Sequence, residues 1–252
     1  MKISEYENIF RNEDNHFYYV ANHRIVLSLV NKYLGHKKMV RLLDVGCGTG
    51  LLAKKLAKFG KVSGVDIHEE AIKYARIRNV DVKKASITKL PFLNNSFDVV
   101  VCIDVLNHRW VKNERRALLE LYRVLKPSGF LIIRASANKW LHLVHDKHVW
   151  LKKRYEKEDF ERKLHGAGFT VKRSSYVNMM LLPMALLLSI FEKMTKTNKP
   201  TSAISHVSSL INIFFTFLLS LESYVLPFID LPFGIALIAV CKKSDPNSKI
   251  SN

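Results

Sequence analysis

The sequence predicts an α/β fold, a seven-stranded and mostly parallel sheet with helices on both faces and a helical insertion before the last strand. Three observations predict it. Apolar runs of strand length alternate with amphipathic runs of helical length along the chain. One apolar run, inside "LLDVGCGTG" at 42–50, ends in an acid and passes through a glycine turn into the start of a helix. The stretch "LKPSGF" at 125–130 stops a helix with Pro and Gly and launches the next strand. With 252 residues, 48% apolar and 25% charged, the chain has the length and composition of one folded domain carrying an insertion.

Residues 1–36 read as an N-terminal helical cap and 37–173 as the core of the domain. Val40–Asp44 is the first strand, apolar and followed by glycines, as suits a strand covered on both faces. Leu51, Leu52, Leu56 and Ala57 lie among lysines after the glycine turn and begin a helix. Val62–Asp66 and Val80–Lys84 are the next strands, with a helix at Glu69–Arg78 between them. Phe97–Ile103 follows, then a helix at Asn113–Leu125, in which Ala117, Leu118, Leu121, Tyr122 and Leu125 form one apolar stripe behind an Asn113 cap. After the strand Phe130–Ala135, "EKEDFERKLHGAGF" puts Glu158 and Asp159 in a first helical turn, turns Phe160 and Leu164 inward and ends at glycine. Phe169–Tyr176 and Gly234–Cys241 are the last strands. Residues 174–230 form the insertion, 231–244 the closing strand and 245–252 a flexible tail. Cys47, Cys102 and Cys241 sit in or beside apolar strands, with no CxxC pair and no metal-ligand spacing; they read as core residues of a reduced, cytoplasmic chain without a metal. "MKISEYENIF" carries acids and no apolar h-region, so it does not read as a signal peptide.

Two ligands compete for the glycine turn. A dinucleotide turn of the G-x-G-x-x-G type places its third glycine at 51, where this chain has Leu51. The spacing present is Gly46-x-Gly48-x-Gly50, and Asp44 stands just before it, where its charge repels a pyrophosphate. An acid there suits a cationic ligand. Asp66 closes the second strand 22 residues after Asp44. Its carboxylate can accept from two adjacent hydroxyls, or cap the helix that starts in "HEEA", and the two roles are compatible.

Asp44-x-Gly46-x-Gly48-x-Gly50 followed by Asp66 resembles the class I S-adenosylmethionine-dependent methyltransferases, whose core is Rossmann-like. The resemblance continues through "LPFLNNSFDVVVCIDVLNH" (90–108) and "ALLELYRVLKPSGFLII" (117–133). It implies S-adenosyl-L-methionine as cofactor, with Asp44, Gly46, Cys47, Gly48 and Gly50 under its amino acid and ribose parts and Asp66 on both ribose hydroxyls. Family members often set an acid two residues after the third strand against the adenine. This chain has Ser86 there, so Ala85, Ser86 and Ile87 form the adenine edge, and Ile67 packs on its face. Asp104, ending the fourth strand, faces the methionine end. Where many relatives show an acid–His pair this chain has Asn107 and His108; His108 either serves the cofactor loop and acceptor side or caps the segment after it.

Methyl transfer from a sulfonium is an in-line displacement that needs alignment and exclusion of water, and a base helps where the acceptor is a hydroxyl. Acceptor residues are expected beyond strands four and five, in "ASANKWLHLVHDKHVWLKKRY" (135–155), rich in Trp, basic residues and His, including His142. With "HFYYVANHRIVLSLV" (16–30) and "SYVNMMLLPMALLL" (175–188), this stretch resembles the type 11-like branch of the family associated with glycan and glycolipid biosynthesis. The resemblance implies counterparts at His16, Phe17, Tyr18 and Tyr19, at His145 and Asp146, at Arg154 and Tyr155, and at Tyr176 and Asn178. His145 and Asp146 are then a base and its orienting acid, or solvated loop residues. Tyr18, Tyr19, Tyr155, Tyr176 and Asn178 line the acceptor. Arg154 holds an acceptor carboxylate or phosphate, or pairs with Glu156 or Glu158.

The insertion holds two charge-free runs, 174–191 and 200–221, on either side of "EKMTKTNK". Each approaches the ~20 residues that span a bilayer. Pro183 interrupts the first. The second carries a polar stripe, Ser205, Ser208, Ser209, Asn212, Thr216, Ser220 and Ser223, opposite Val207, Leu210, Ile211, Phe214, Phe215 and Leu218, the mark of an amphipathic helix. A lid over the acceptor pocket or a homodimer contact ranks first, a shallow membrane helix second because the stripe is nearly free of Lys and Arg, and spanning last. Such a lid suits a long apolar acceptor, a lipid or a polyprenyl-linked sugar.

The net charge of +18 is spread along the chain, with 23 Lys/Arg against 13 Asp/Glu in residues 1–130. It leaves open a solvated basic surface, an anionic membrane surface or an anionic substrate. No RGG tract, zinc finger or RNP-like strand accompanies it, and "IDVLNH" stands where base-amino methylating enzymes carry an Asn/Asp-Pro-Pro-aromatic turn, so nucleic acid is not the favoured partner. The expectation is an O-directed methyltransferase for a small-molecule or lipid-linked saccharide acceptor, cytoplasmic or peripheral at the cytoplasmic membrane. A nucleic-acid methyltransferase and a non-catalytic cofactor-binding module are the rivals.

Overall fold

The computed structural model describes residues 3–35, 37, 39–141, 143–195 and 207–243; His142, Ser205 and the 245–252 tail lie outside the described residues. Strands Val40–Val45 (β1), Gly60–Asp66 (β2), Asp81–Lys84 (β3), Phe97–Ile103 (β4), Leu125–Ser136 (β5), Phe169–Val177 (β6) and Ala236–Lys243 (β7) form one sheet in the order β3-β2-β1-β4-β5-β7-β6. Neighbours from β3 through β5 pair in parallel, and β7 runs antiparallel between β5 and β6. This is the expected Rossmann-like α/β sheet. Its helices are Ile3–Asn12 (α1), Phe17–Leu34 (α2), Leu51–Leu56 (α3), Glu69–Ile77 (α4), Glu114–Val124 (α5), His145–His148 (α6), Lys157–Gly166 (α7), Leu182–Met194 (α8) and Ser209–Val225 (α9).

Successive residues of the central strands point into two different cores. Leu43 and Val45, with Val100 and Cys102, pack with Leu118 and Leu121 of α5 and Phe160 and Leu164 of α7. Val40 and Leu42, with Val99 and Val101, pack with Ile25, Val26 and Leu29 of α2 and Leu52 and Leu56 of α3. Both faces of the sheet are dry, which is why these strands are apolar at successive positions and not only at every second one. Each fully buried Leu or Ile stabilises by about 1.5–3 kcal/mol. The two cores therefore hold the strand ends, and the loops that leave them, in fixed positions.

Strand limits move where turn chemistry intervenes. β3 starts at Asp81 instead of Val80, because Asn79 turns the chain at φ 60° and the Val80 amide still donates to Ala75 O at 3.1 Å. β5 starts at Leu125 instead of Phe130. Leu125 pairs with Phe97, the chain then bulges through Pro127 to Gly129 with Ser128 at φ 61°, and pairing resumes between Val99 and Phe130. β2 begins two residues early at Gly60, and β7 begins at Ala236, not Gly234. β6 runs on to Val177, inside the stretch assigned to the insertion.

Pro183 does not interrupt its helix. It sits in the first turn of α8, where a missing N–H breaks no helical bond. α9 lies against α2, with Phe215 and Phe17 rings 5.3 Å apart. The later part of its polar stripe faces the body of the protein: Ser220 and Ser223 are buried together with Glu222, whereas Ser208 and Ser209 at its start are exposed, as are Leu210 at 82% and Phe217 at 65%. Among the described residues no helix is long and apolar enough to cross a membrane. The three cysteines are unpaired and buried, and burial pushes their thiols up.

Candidate cofactor and acceptor site

The C-terminal ends of β1, β2 and β4 bring Asp44, the turn 46–50, Asp66 and Asp104 to one edge of the sheet. Gly46, Gly48 and Gly50 take φ values of 75°, 54° and 83°, in the left-handed region. A Cβ on Gly46 would lie 2.2 Å from Val105 Cγ2, and one on Gly50 2.9 Å from Ala75 Cα. At Gly48 nothing lies within 4 Å, so its bare backbone borders open space. Four amides of the turn donate within the protein. Gly46 and Cys47 both donate to Val65 O (2.8 and 3.0 Å), Gly50 to Cys47 O (2.9 Å) and Gly48 to Asp66 Oδ2 (3.0 Å). A pyrophosphate would find none of these donors free and a carboxylate beside it.

Asp44 is 2% exposed, and its Oδ2 is buried with no hydrogen-bond partner. Burial, reinforced by the nearby Asp66 charge, pushes its pKa up to about 7. Such a group ionises when a cationic donor arrives. Asp66 is held at the mouth of the same cradle, Oδ1 accepting from His68 N at 2.9 Å and Oδ2 from Gly48 N, so it caps the approach to α4 and still offers lone pairs. This donor set is compatible with S-adenosyl-L-methionine: the orphaned Asp44 oxygen would suit its ammonium, Asp66 its ribose hydroxyls, and the open backbone at Gly48 would leave room for its body. On the adenine side, Ala85 N donates to Asp66 O at 2.9 Å, Ile87 is buried and Ile67 is half-exposed. Ser86 Oγ accepts from Thr88 N at 3.2 Å, so the serine is engaged in a local turn.

The N-terminal segment lies across this edge, a feature the sequence reading missed. Tyr6 is buried with its ring 5.7 Å from His68, and its phenol is pushed up by burial and by Asp66. Glu13 meets Thr49 Oγ1 of the glycine turn and pairs with Arg78 at 2.8 Å, while Arg78 also holds Asp14 at 2.9 Å and Phe10 O at 3.1 Å. Burial raises Glu13 to about 7 against the lowering effects of Thr49 and Arg78.

Beyond β4 and β5, Asp104 sits at φ 56° and accepts from Arg134 Nη1 at 3.0 Å. Arg134 is buried, and its Nη2 donates to Tyr18 Oη at 2.7 Å, so one guanidinium ties Asp104 to α2. Tyr19 is held neutral, its phenol pushed far up by burial and by Tyr18, Glu13, Glu5 and Asp104 around it. His16 caps α2 through Nδ1, which accepts from Tyr18 N at 3.3 Å, and leaves Nε2 buried without a partner. His108 caps its own segment, Nδ1 accepting from Trp110 N at 3.3 Å, and burial with neighbouring positive charge pushes it down to about 4. Asn178 is buried at φ 59°, its Nδ2 donating to Asn22 Oδ1 at 3.2 Å and its Oδ1 left unpartnered. Tyr176, on β6, is half-buried against both cores.

Three expectations need correction. Tyr155 is wholly buried among core residues, its ring 5.4 Å from Phe160, because β5 and α7 close over it; it does not line an acceptor. Arg154 pairs with neither Glu156 nor Glu158. It forks onto Asp146, Nε to Oδ2 at 3.1 Å and Nη2 to Oδ1 at 2.7 Å, with Nη1 on Ala137 O at 3.0 Å. Asp146 is thereby committed to a guanidinium and is not the orienting acid of His145. The acid–imidazole pair built here is Glu5 and His148, Oε2 to Nε2 at 2.9 Å and both buried. His145 stacks beside it, with ring centroids 6.0 Å apart.

Residues 43–133 match the family described as "Methyltransferase domain". An uncharacterized methyltransferase of Schizosaccharomyces pombe is 38% identical over 116 residues, 40% of this chain and 41% of that protein. Demethylmenaquinone methyltransferase of Staphylococcus aureus is 33% identical over 138 residues, 50% of this chain and 56% of that protein. The chain thus spans about half the length of the curated relatives it matches. The solved structure of a SAM dependent methyltransferase from Aquifex aeolicus superposes with a TM-score of 0.54 at 26% identity, covering 70% of this chain and 93% of that one. Residues 43–133 are thus similar to a methyltransferase domain, and the sheet around them has the Rossmann-like order of the solved methyltransferase it superposes on.

Proposed function

We propose that the protein transfers a methyl group from S-adenosylmethionine to a hydroxyl of an apolar small molecule or a lipid-linked saccharide. The observation that carries the reading is the buried, unpartnered Asp44 oxygen beside a turn whose three glycine amides already donate within the protein, which supports a cation there over a phosphate. The cofactor, when bound, supplies a methyl already activated on a sulfonium. What remains for the chain is to align the acceptor, exclude water and take the acceptor's proton.

Glu5 and His148 suit the last task. A carboxylate only accepts, so the 2.9 Å contact calls for a proton on Nε2; Nδ1 has no hydrogen-bond partner, and in a neutral ring it would carry the lone pair that takes the proton. His145, stacked on it, and His108, Tyr176 and Asn178 remain on the acceptor side of this reading, with Tyr18 and Tyr19 as its aromatic wall. An apolar acceptor is supported by that wall and by the name of the Staphylococcus relative, which specifies demethylmenaquinone. The lipid-linked saccharide is supported by the motifs shared with the glycan-associated branch.

The test is incubation with methyl-labelled S-adenosylmethionine and fractionated cell extract. Label is expected in the organic-soluble fraction, dependent on Asp44. Label in RNA or DNA, or no transfer to any fraction by protein that binds S-adenosylhomocysteine, would replace this reading with one of its rivals.

A further inference from the structure

α9 is amphipathic in reverse. Its polar groups are consumed on the inner side: Asn212 Oδ1 accepts from Phe17 N at 2.8 Å and Nδ2 donates to Asn15 O at 2.9 Å, Ser220 Oγ accepts from Arg24 Nη1 at 2.8 Å, and the two Glu222 oxygens accept from Asn178 N at 2.6 Å and Met179 N at 2.8 Å. These bonds run from one end of the helix to the other and fix its rotation. The side left outside carries Leu210, Phe214, Phe217, Leu221, Tyr224 and Phe228, three or four residues apart, all exposed. At a rise of 1.5 Å per residue its helical part, Leu210 to Tyr224, is roughly 21 Å long, and Phe228 extends it past the helix end. A solvated monomer seldom leaves so much connected apolar surface to water.

We propose that this stripe docks the protein in the plane of an anionic phospholipid bilayer. The only acid in 209–228 is Glu222, and it is buried inward, so the helical stripe itself carries no negative charge; the next acid is Asp230. At the far end of the stripe stand Lys32 and Arg173, the latter paired with Asp230 at 3.2 Å. Lys32 Nζ lies 4.6 Å from the Phe228 ring centroid and meets Pro227 O, and Arg173 donates to Leu226 O and Phe228 O at 2.7 and 3.0 Å. A cleft of about 350 Å³ opens there between α2 and the end of α9, lined by Ser28, Asn31, Lys32, Tyr224, Pro227 and Phe228. Two copies joined through this surface would bring two net charges of +18 together, whereas an anionic surface is attracted by the same charge. Apolar insertion and electrostatic attraction are the two components that hold an interfacial helix. The inner side of α9 rests on Phe17 and Ala21 of α2, next to Tyr18, so docking sets the acceptor side of the site beside the bilayer.

The docking inference does not depend on the proposed methyl transfer, and its test uses no cofactor. The full chain is sedimented with vesicles of phosphatidylcholine alone and with about one third phosphatidylglycerol. The protein is expected to partition at least about tenfold more strongly to the anionic vesicles, and to lose that gain in high salt. The variant Phe214→Ser/Phe217→Ser/Leu221→Ser is expected to lose at least about tenfold in partitioning. Its far-ultraviolet circular dichroism and urea midpoint should stay close to those of the wild type, which shows that it is folded. Protein that remains in the supernatant with both vesicle types overturns the proposal, as does equal binding to both. So does a dimer, seen by light scattering without vesicles, that this variant converts to monomer, which would make a second copy the occupant.

Discussion

Replacing Asp44 with asparagine should uncouple cofactor binding from pH while making the unliganded protein more stable at alkaline pH. The starting point is a buried carboxyl at about 7 whose Oδ2 has no partner. With that value, about nine-tenths of the molecules hold the proton at pH 6 and about one-tenth at pH 8. Binding of an ammonium group at Asp44 requires the ionised form. S-adenosylhomocysteine should therefore release about 0.9 proton per molecule bound at pH 6 and about 0.1 at pH 8, and bind about tenfold more tightly at the higher pH. Calorimetry in two buffers of different ionisation enthalpy reads the proton count directly. Glu13 is raised to the same region, so Glu13→Gln serves as the control: it should leave the release intact, and Asp44→Asn should abolish it. The stability sign is opposite. A carboxyl whose folded pKa is raised contributes stability below its unfolded value near 3.8 and loses it as pH rises through about 7, a loss on the order of 4 kcal/mol for the unliganded protein. Asp44→Asn escapes that loss, so its urea midpoint at pH 8 should exceed that of the wild type. A variant that still releases a proton on binding, or that is less stable than wild type at pH 8, would refute the assignment of Asp44 to a cationic ligand.

Gly50→Ala and Gly48→Ala should separate folding from binding. Gly50→Ala meets Ala75 Cα and an unfavourable φ, and should cost about 2–4 kcal/mol in urea unfolding, whereas Gly48→Ala enters open space, costs only the 1–2 kcal/mol of a left-handed alanine and loses cofactor affinity instead. Arg134→Met leaves Asp104 and the Tyr18 hydroxyl without their partner and should cost about 3–5 kcal/mol, read by denaturant titration; a cost below about 1 kcal/mol would show the cluster to be hydrated. His148→Gln and Glu5→Gln should each lower kcat at least about hundredfold with unchanged S-adenosylhomocysteine affinity; an unchanged kcat would take the proton-accepting role away from this pair.

How far these features can be read before folding follows from how local their causes are. The strands of the central sheet are legible because both faces are dry, which makes Val40–Val45 and Phe97–Ile103 nearly continuous apolar runs. The glycine turn is legible because three positive φ values demand glycine at 46, 48 and 50, and the acid before it because no phosphate site tolerates one. Contacts between distant segments leave no such trace. Glu5 meets His148 across 143 positions, Arg134 reaches Tyr18 across 116 and Thr49 reaches Glu13 across 36, and nothing local to either partner announces the other. For the same reason Asp146 reads as the neighbour of His145 although its carboxylate belongs to Arg154. In α9 periodicity separates a polar from an apolar side but carries no information about which of them faces inward. That is decided by the hydrogen-bonding needs of Phe17 N, Asn178 N and Met179 N, each at the end of another element.

The distribution of charge joins these observations. A chain of net charge +18 nevertheless gathers Glu13, Asp44, Asp66 and Asp104 around one cradle, three of them buried. Burying acids is costly, and here the cost is visible in the raised values of Glu13 and Asp44. An interior of that sign rejects the phosphates that the basic exterior attracts and admits a cationic nucleoside, so the two charges select different partners at different places. They also respond differently to salt. Attraction of the exterior to an anionic surface is screened over about 8–10 Å at physiological ionic strength, while a buried Asp44 against an ammonium is shielded from counter-ions. Raising salt should therefore strip the protein from anionic vesicles while leaving S-adenosylhomocysteine affinity nearly unaltered, and equal loss of both would mean that Asp44 is not buried in solution.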